Sequence, residues 1–202
     1  MSRSSFSQIL GLGVSYVRVF TGLLWQLEAK VKGVKCEGPV RMEGRPIISV
    51  HPDSKMIFGS GVRINSATRS NPVGCFQPSV LRTLAPKAEL ILERNVGISA
   101  TVICAGNSIR IGEGTIIGSG AMILDNDFHA YIEQKGWVNE YSSNSKPIII
   151  GRAVFIGARA IILKGVTIGA GAKIGAGSVV TRDVPAGETA VGNPAQLLSP
   201  KL

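Results

Sequence analysis

From Ile150 onward an aliphatic residue returns at every sixth position: Ile150, Ile156, Ile162, Ile168, Ile174 and Val180. Neither the 3.6-residue period of a helix nor the two-residue alternation of a half-buried antiparallel strand produces that spacing. Gly151, Gly157, Gly169 and Gly175 follow the aliphatics directly, and Val154, Ala160, Val166, Ala172, Ser178 and Val184 place a small or β-branched side chain four residues after each one. A hexapeptide that is one short strand and one turn, stacked into coils around an aliphatic column, satisfies all of this, so a parallel β-helix is expected. Upstream the register is carried by Leu92, Ile98 and Cys104, slips by one residue, and resumes at Ile111, Ile117 and Ile123, with a weaker trace at Ile57, Gly59 and Val62. Aromatic residues make up only 5% of the chain while glycines number 25, a balance unlike that of a helical bundle or a sandwich core. The expected organisation is an N-terminal helical segment over 1–33 and one β-helix domain over 34–198.

The next aliphatic after Ile123 is due at position 129, where the sequence has His129, and the repeat is silent until Pro147. A loop over 127–147 is therefore extruded from the solenoid, and projecting loops on rigid scaffolds are where function concentrates. With Asp125 just before it, this stretch carries Asp127, His129, Tyr131, Glu133, Trp137, Glu140 and Tyr141. A hydroxyl becomes a good nucleophile only when its proton is removed, and imidazole titrates near neutrality without tuning, so His129 is the candidate base. Asp127, Glu133 or Glu140 could orient its ring. His51, before Pro52 and outside the clear repeat, reads as structural.

Composition narrows the function classes. Cys36, Cys75 and Cys104 are widely spaced and odd in number, which suggests neither a disulfide framework nor a zinc knuckle and fits a reducing cytoplasm. The net charge of +9 suits nucleic acid, an anionic membrane surface or a phosphate-rich ligand such as CoA. Because Lys and Arg are dispersed singly without interleaved aromatics, nucleic-acid binding is not expected. From Phe6 to Leu27 Arg18 is the only charge, and Leu10, Val14, Val17, Leu24 and Val31 fall near a seven-residue spacing, which predicts a helix. That helix either packs on the body or a partner subunit, or makes peripheral membrane contact through residues 6–31 at the inner face of the membrane. Neither GxxxxGK[ST], GxGxxG after a strand, nor HExxH occurs, so nucleotide hydrolysis, hydride transfer and zincin chemistry find no support.

Residues 154–195, VFIGARAIILKGVTIGAGAKIGAGSVVTRDVPAGETAVGNPA, together with NSIRIGEGTIIGSGAMILDNDFH at 107–129, resemble the hexapeptide-repeat acetyltransferases. The likeness is nearest to the galactoside, maltose and capsular-polysaccharide O-acetyltransferases, and RINSATRSNPVG at 63–74 resembles a segment of the capsular and exopolysaccharide enzymes. The resemblance implies an all-β, left-handed parallel β-helix, a homotrimer, and transfer of an acetyl group from acetyl-CoA to a saccharide hydroxyl without a metal or an acyl-enzyme. It implies His129 as base, with Asp127 as a catalytic partner that orients it or binds acceptor hydroxyls. Phe155, Gly157, Ala158, Ala176 and Thr181 match positions that hold acetyl-CoA along its pantetheine in a groove between subunits, with Arg182 near the nucleotide phosphates, and Ser99, Ser66 and Asn71 match acceptor-side positions. The chain departs from the pattern at Phe155, where several relatives have Trp, and at Gln196, where a basic residue is usual. Transfer to an amino-sugar nitrogen, an antibiotic or serine is the alternative on the same fold, and a non-catalytic scaffold is a further one. The γ-class carbonic anhydrases share the fold, but their zinc needs three histidines and this chain has two.

Overall fold

The structure, a computed structural model, describes residues 20–198; the expected helix over 6–19 lies outside the described residues, as do 1–5 and 199–202. Three parallel sheets form the faces of a triangular prism. The first face stacks Val34–Cys36, Lys55–Phe58, Glu89–Leu92, Ser108–Ile111, Ile148–Ile150 and Thr167–Ile168. The second stacks Arg41–Glu43, Arg63–Asn65, Gly97–Ser99, Ile116–Ile117, Phe155–Ile156, Lys173–Ile174 and Thr189–Gly192, ending in the antiparallel strand Ala195–Leu197. The third stacks Ile47–Ser49, Val80–Thr83, Val102–Ala105, Met122–Leu124, Ile161–Leu163 and Val179–Val180. Ile150 pairs with Ile168, Ile156 with Ile174 and Ile162 with Val180, so eighteen residues, three hexapeptides, make one coil.

The aliphatic column anticipated from the period is the core. Ile48, Leu81, Ile103, Ile123, Ile162 and Val180 point inward from the third face, and Ile64, Ile98, Ile117, Ile156 and Ile174 from the second, all essentially without solvent contact apart from Ile48, which retains a little. Each such side chain contributes about 1.5–3 kcal/mol by leaving water, and the ladder repeats that contribution coil after coil. The register slip lies elsewhere than the sequence pattern suggests. Cys104 pairs with Leu124 and Arg82 on the outward positions of the third face, and its neighbour Ile103 is the inward residue. The corner from Ile98 to Ile103 is one residue shorter than that from Ile117 to Ile123, and Ala100 turns it with a φ of 49°.

Small residues after the aliphatics let successive corners stack. A Cβ at Gly157 would lie 2.4 Å from the backbone nitrogen of Ala176, and one at Gly118 2.6 Å from that of Ala158, distances no side chain tolerates. Two longer segments leave the coil path. Residues 66–79 depart at the corner between the second and third faces, and 125–147 at the corner between the third and first.

At the base, the helix over residues 20–31 covers the open edge made by the first strand of each face, which would otherwise offer unpaired backbone groups. Its Ala29 is buried, Trp25 packs on the core, and Gly22 passes so close to Met42 that a Cβ would sit 2.9 Å from the carbonyl oxygen. Arg45 holds both carboxylate oxygens of Glu28 at 2.9 Å and its guanidinium lies 5.6 Å from the Trp25 ring centre. Those hydrogen bonds, with Lys32 adding to them, lower the Glu28 pKa to about 2.

Candidate active site

The inward aliphatic of each strand dictates which neighbours look outward, and on the second face those neighbours floor a cleft of about 450 Å³. Arg63, Gly97, Ile116 and Phe155 stand in one vertical register, with Asn65 and Ser99 in the next. Segment 66–79 folds over this floor as a wall. It is fastened by Ser119 Oγ donating to the Gly74 carbonyl at 2.5 Å and by Arg159 lying 5.0 Å from the Phe76 ring centre. Asn71 forms the turn that aims the wall: its Oδ1 accepts from the Val73 N–H at 2.9 Å and its carbonyl from the Gly74 N–H at 2.8 Å. Its amide then donates to Ser99 Oγ at 3.0 Å, and Asn65 Nδ2 donates to the same oxygen at 3.1 Å. With two donors feeding its oxygen, the Ser99 hydroxyl keeps its own proton to give to a ligand. Ser66 lies outside the cleft, its buried Oγ accepting the Ser79 N–H at 3.1 Å where the segment rejoins the coil.

His129 is in a different place. The segment from 125 to 147 forms a hairpin of His129–Ile132 and Gly136–Asn139, with Tyr131 and Trp137 paired across it and their rings 5.7 Å apart. His129 is exposed, and together with Asp127, Tyr131, Trp137 and Asn144 it lines a shallow concavity. Asp127 is ion-paired to Lys164 rather than hydrogen-bonded to His129. Glu140 is turned away as well: it accepts from the Ser142 and Ser143 backbone amides and the Ser142 hydroxyl, which hold its pKa down at about 2. The root of the hairpin is fixed by Asp125, fully buried, whose carboxylate accepts from Gly106 N–H at 2.6 Å, Asn107 N–H at 2.9 Å and Asn126 Nδ2 at 2.9 Å. Its carbonyl accepts the Lys146 N–H at 2.8 Å, closing the two ends of the loop on each other. His51, by contrast, sits in a turn where its Nδ1 accepts the Asp53 N–H.

The positions matched to CoA divide between the same two corners. Phe155, Gly157, Ala158 and Ala176 lie along the corner that bears the cleft, and Phe155 and Ala158 line it beside Ser99 and Asn71. Thr181 and Arg182 follow the strand Val179–Val180 and stand exposed on the corner that bears the His129 hairpin. Within one chain, the candidate base and Arg182 therefore share one edge of the prism while the candidate groove occupies the other. Among the described residues no group of three His, Cys, Asp or Glu side chains could hold a metal.

A family model described as the hexapeptide repeat of succinyl-transferase matches residues 147–182. The chain has the left-handed β-helix fold built from hexapeptide repeats. Over 55 residues, 27% of this hexapeptide-repeat chain, it is 44% identical to a 2,3,4,5-tetrahydropyridine-2,6-dicarboxylate N-acetyltransferase of Staphylococcus aureus (strain JH9), and the match spans 23% of that relative. AntD, an N-acyltransferase from Bacillus cereus in complex with dTDP and 3-hydroxybutyryl-CoA, superposes with a TM-score of 0.62 at 21% identity over 86% of both chains. A variant of AntD in complex with dTDP-4-amino-4,6-dideoxyglucose and coenzyme A gives a TM-score of 0.62, also at 21% identity, over 86% of this chain and 87% of that one.

Asn65, Ser119, Ile116 and Arg63 line the cleft of this hexapeptide-repeat protein and are absent from the sequence-based set. Three of them had a signal: they flank the inward residues Ile64 and Ile117 on the coils that segment 66–79 covers, and so must face outward beneath it. Ser119 had none, because nothing local reveals that a corner serine will meet the Gly74 carbonyl.

Proposed function

We propose that the protein is an acyltransferase that moves an acetyl group from acetyl-CoA to a saccharide hydroxyl, in a site completed between neighbouring copies of a homotrimer. The observation that carries this reading is the division of the site between two corners that flank one face. The third face presents an outward register of Ile47, Val80, Val102, Met122, Ile161 and Val179, with Cys104, Leu124 and Leu163 beside it. Arg82 is the only charge in those outward rows among the described residues. Such an apolar stripe suits contact with another copy. When the third faces turn toward a common axis, the His129 corner of one copy meets the cleft corner of the next. Contact between unlike edges is heterologous, and it closes as a ring.

In that arrangement the thioester lies along the stacked corners at Gly118, Gly157 and Ala176, where no side chain larger than a methyl group stands between a ligand and the backbone amides. Phe155 and Ile116 give the acyl and pantetheine parts an apolar wall, and Arg182 from the neighbouring edge answers a phosphate. Asn71, Ser99 and Asn65 hydrogen-bond hydroxyls of the acceptor. His129 removes the proton from the attacking hydroxyl, the new oxygen–carbon bond forms at the thioester carbonyl, and backbone amides stabilise the oxyanion. Collapse breaks the carbon–sulfur bond, and the protonated imidazole returns its proton to the departing CoA thiolate. Holding both reactants in one cleft supplies the orientation that makes direct transfer fast. Asp127, paired with Lys164, orients the hairpin rather than the ring.

A second reading, transfer to an amino-sugar nitrogen, is favoured by the likeness to AntD. The test is thiol release from acetyl-CoA with a panel of neutral and amino sugars, comparing wild type with His129→Ala, followed by mild alkali on the product. The proposal expects sugar-dependent release, a roughly 10²–10⁴-fold loss in the variant, and an alkali-labile ester. An alkali-stable amide moves the assignment to the nitrogen acceptor, and failure to bind acetyl-CoA leaves only the scaffold.

A further inference from the structure

We infer that the helix over residues 20–31 is a lipid-docking element whose outward face lies in the surface of a bilayer carrying anionic headgroups. One side of the helix closes the solenoid through Gly22, Trp25 and Ala29. The other side is a continuous apolar stripe left in solvent: Phe20 is 66% exposed, Leu23 59%, Leu24 45%, Leu27 62% and Val31 84%. These positions recur at three- and four-residue intervals and so form one face, flanked by Lys30 and the Glu28–Arg45 pair. Capping the coil requires only the inner face, and a helix serving that purpose alone would be polar outside.

Three further observations choose a bilayer as the occupant. The apolar character continues through the preceding sequence, where Phe6, Ile9, Leu10, Leu12, Val14, Val17 and Val19 are accompanied by Arg18 as the only charge. Residues 1–45 contain seven Lys or Arg against three Glu, a net +4 of the chain's +9 in less than a quarter of its length. Lys30 stands beside the stripe, and Lys32 and Lys35, ion-paired to Glu28 and Glu37, follow it, an arrangement that places positive charge at the headgroup level while the apolar face enters the acyl boundary. Finally, the stripe stands at the end of the prism and not on the third face or its corners, so contact between copies as proposed above leaves it uncovered. No described helix is long and apolar enough to cross a membrane, which suits an element lying in the interface. In a ring of copies, symmetry sets every such helix at the same end, and several weak contacts then act together. The apolar face and the charge of this helix carry the inference by themselves; only its freedom from contact between copies rests on the proposed trimer.

The full chain would be mixed with sucrose-loaded vesicles of phosphatidylcholine, with and without phosphatidylglycerol, and sedimented. Leu23→Glu/Leu27→Glu changes two exposed side chains, so circular dichroism and gel filtration should be unchanged while sedimentation with vesicles falls at least about tenfold. Lys30→Gln should weaken binding to phosphatidylglycerol vesicles about fivefold and leave binding to pure phosphatidylcholine unaltered. The inference is overturned when wild type stays in the supernatant with both vesicle types, or when the double variant sediments as wild type does. It is equally overturned when the double variant changes the oligomeric state, because the stripe is then an interface between copies.

Discussion

Asp125→Ala removes the side chain that ties the His129 hairpin to the coil beneath it. Its carboxylate accepts three hydrogen bonds, from the Gly106 and Asn107 backbone and the Asn126 amide, and the group has no exposure to water. Alanine leaves the buried Gly106 N–H without an acceptor and weakens the hold on Asn107 and Asn126. An orphaned buried donor costs about 1–3 kcal/mol and the loss of each charge-assisted bond a comparable amount, offset by the carboxylate's own dehydration, so a net loss of about 3–4 kcal/mol is expected. With a urea dependence of roughly 2 kcal/mol per molar, the unfolding midpoint should fall by about 1.5–2 M. Asp125→Asn keeps one acceptor and should lose about half as much. The hairpin crosses Gly106 so closely that a Cβ there would lie 1.8 Å from the Tyr141 carbonyl oxygen, and loosening this junction displaces His129 as well. Both variants should therefore lose the proposed transferase activity under conditions where they remain folded. A midpoint shift below about 0.3 M for Asp125→Ala would refute the reasoning.

Other outcomes follow from the same contacts. Glu140 has a folded pKa near 2 against an ordinary 4.5, so its stabilising turn is intact above about pH 4.5 and is lost as the pH falls toward 2; carboxyl titration followed by NMR should show that depressed midpoint, and Glu140→Gln should remove this pH dependence. Val102→Asp puts a charge in the middle of the apolar register on the third face and should convert the proposed trimer to monomers in analytical ultracentrifugation, with little change in circular dichroism. Burial drives the Cys104 thiol up to about 11, so alkylation at pH 8 should be slow in the native protein and rapid in denaturant, and Cys104→Ser should retain activity.

The solenoid was legible because every coil must bury the same kind of residue at the same place, and Ile150 to Val180 record that demand without interruption. Cys104 misled because a cysteine is itself a frequently buried residue and stood six residues after Ile98; only the shortened corner at Ala100 shows that Ile103 takes the inward place. The extruded loop was equally legible, since His129 occupies a position where the column needs an aliphatic. What sequence could not supply was position in space. Asp127 and Glu140 were reasonable partners for His129 by proximity, yet Lys164 and the Ser142–Ser143 amides hold them, and those contacts depend on how the hairpin turns. Asn71 and Ser99 are 28 residues apart and meet because segment 66–79 climbs over the coils above it.

The most direct test of the central claim, that each active site takes His129 from one copy and the cleft from its neighbour, is subunit complementation. His129→Ala and Phe155→Glu, each inactive alone, would be unfolded together, refolded as an equal mixture, and assayed for thiol release from acetyl-CoA with the sugar acceptor. Random reassembly gives about one site in four a wild-type His129 facing a wild-type cleft, so activity should return to roughly a quarter of the wild-type value. A mixture no more active than its two components would show that base and cleft belong to the same chain and would contradict the account.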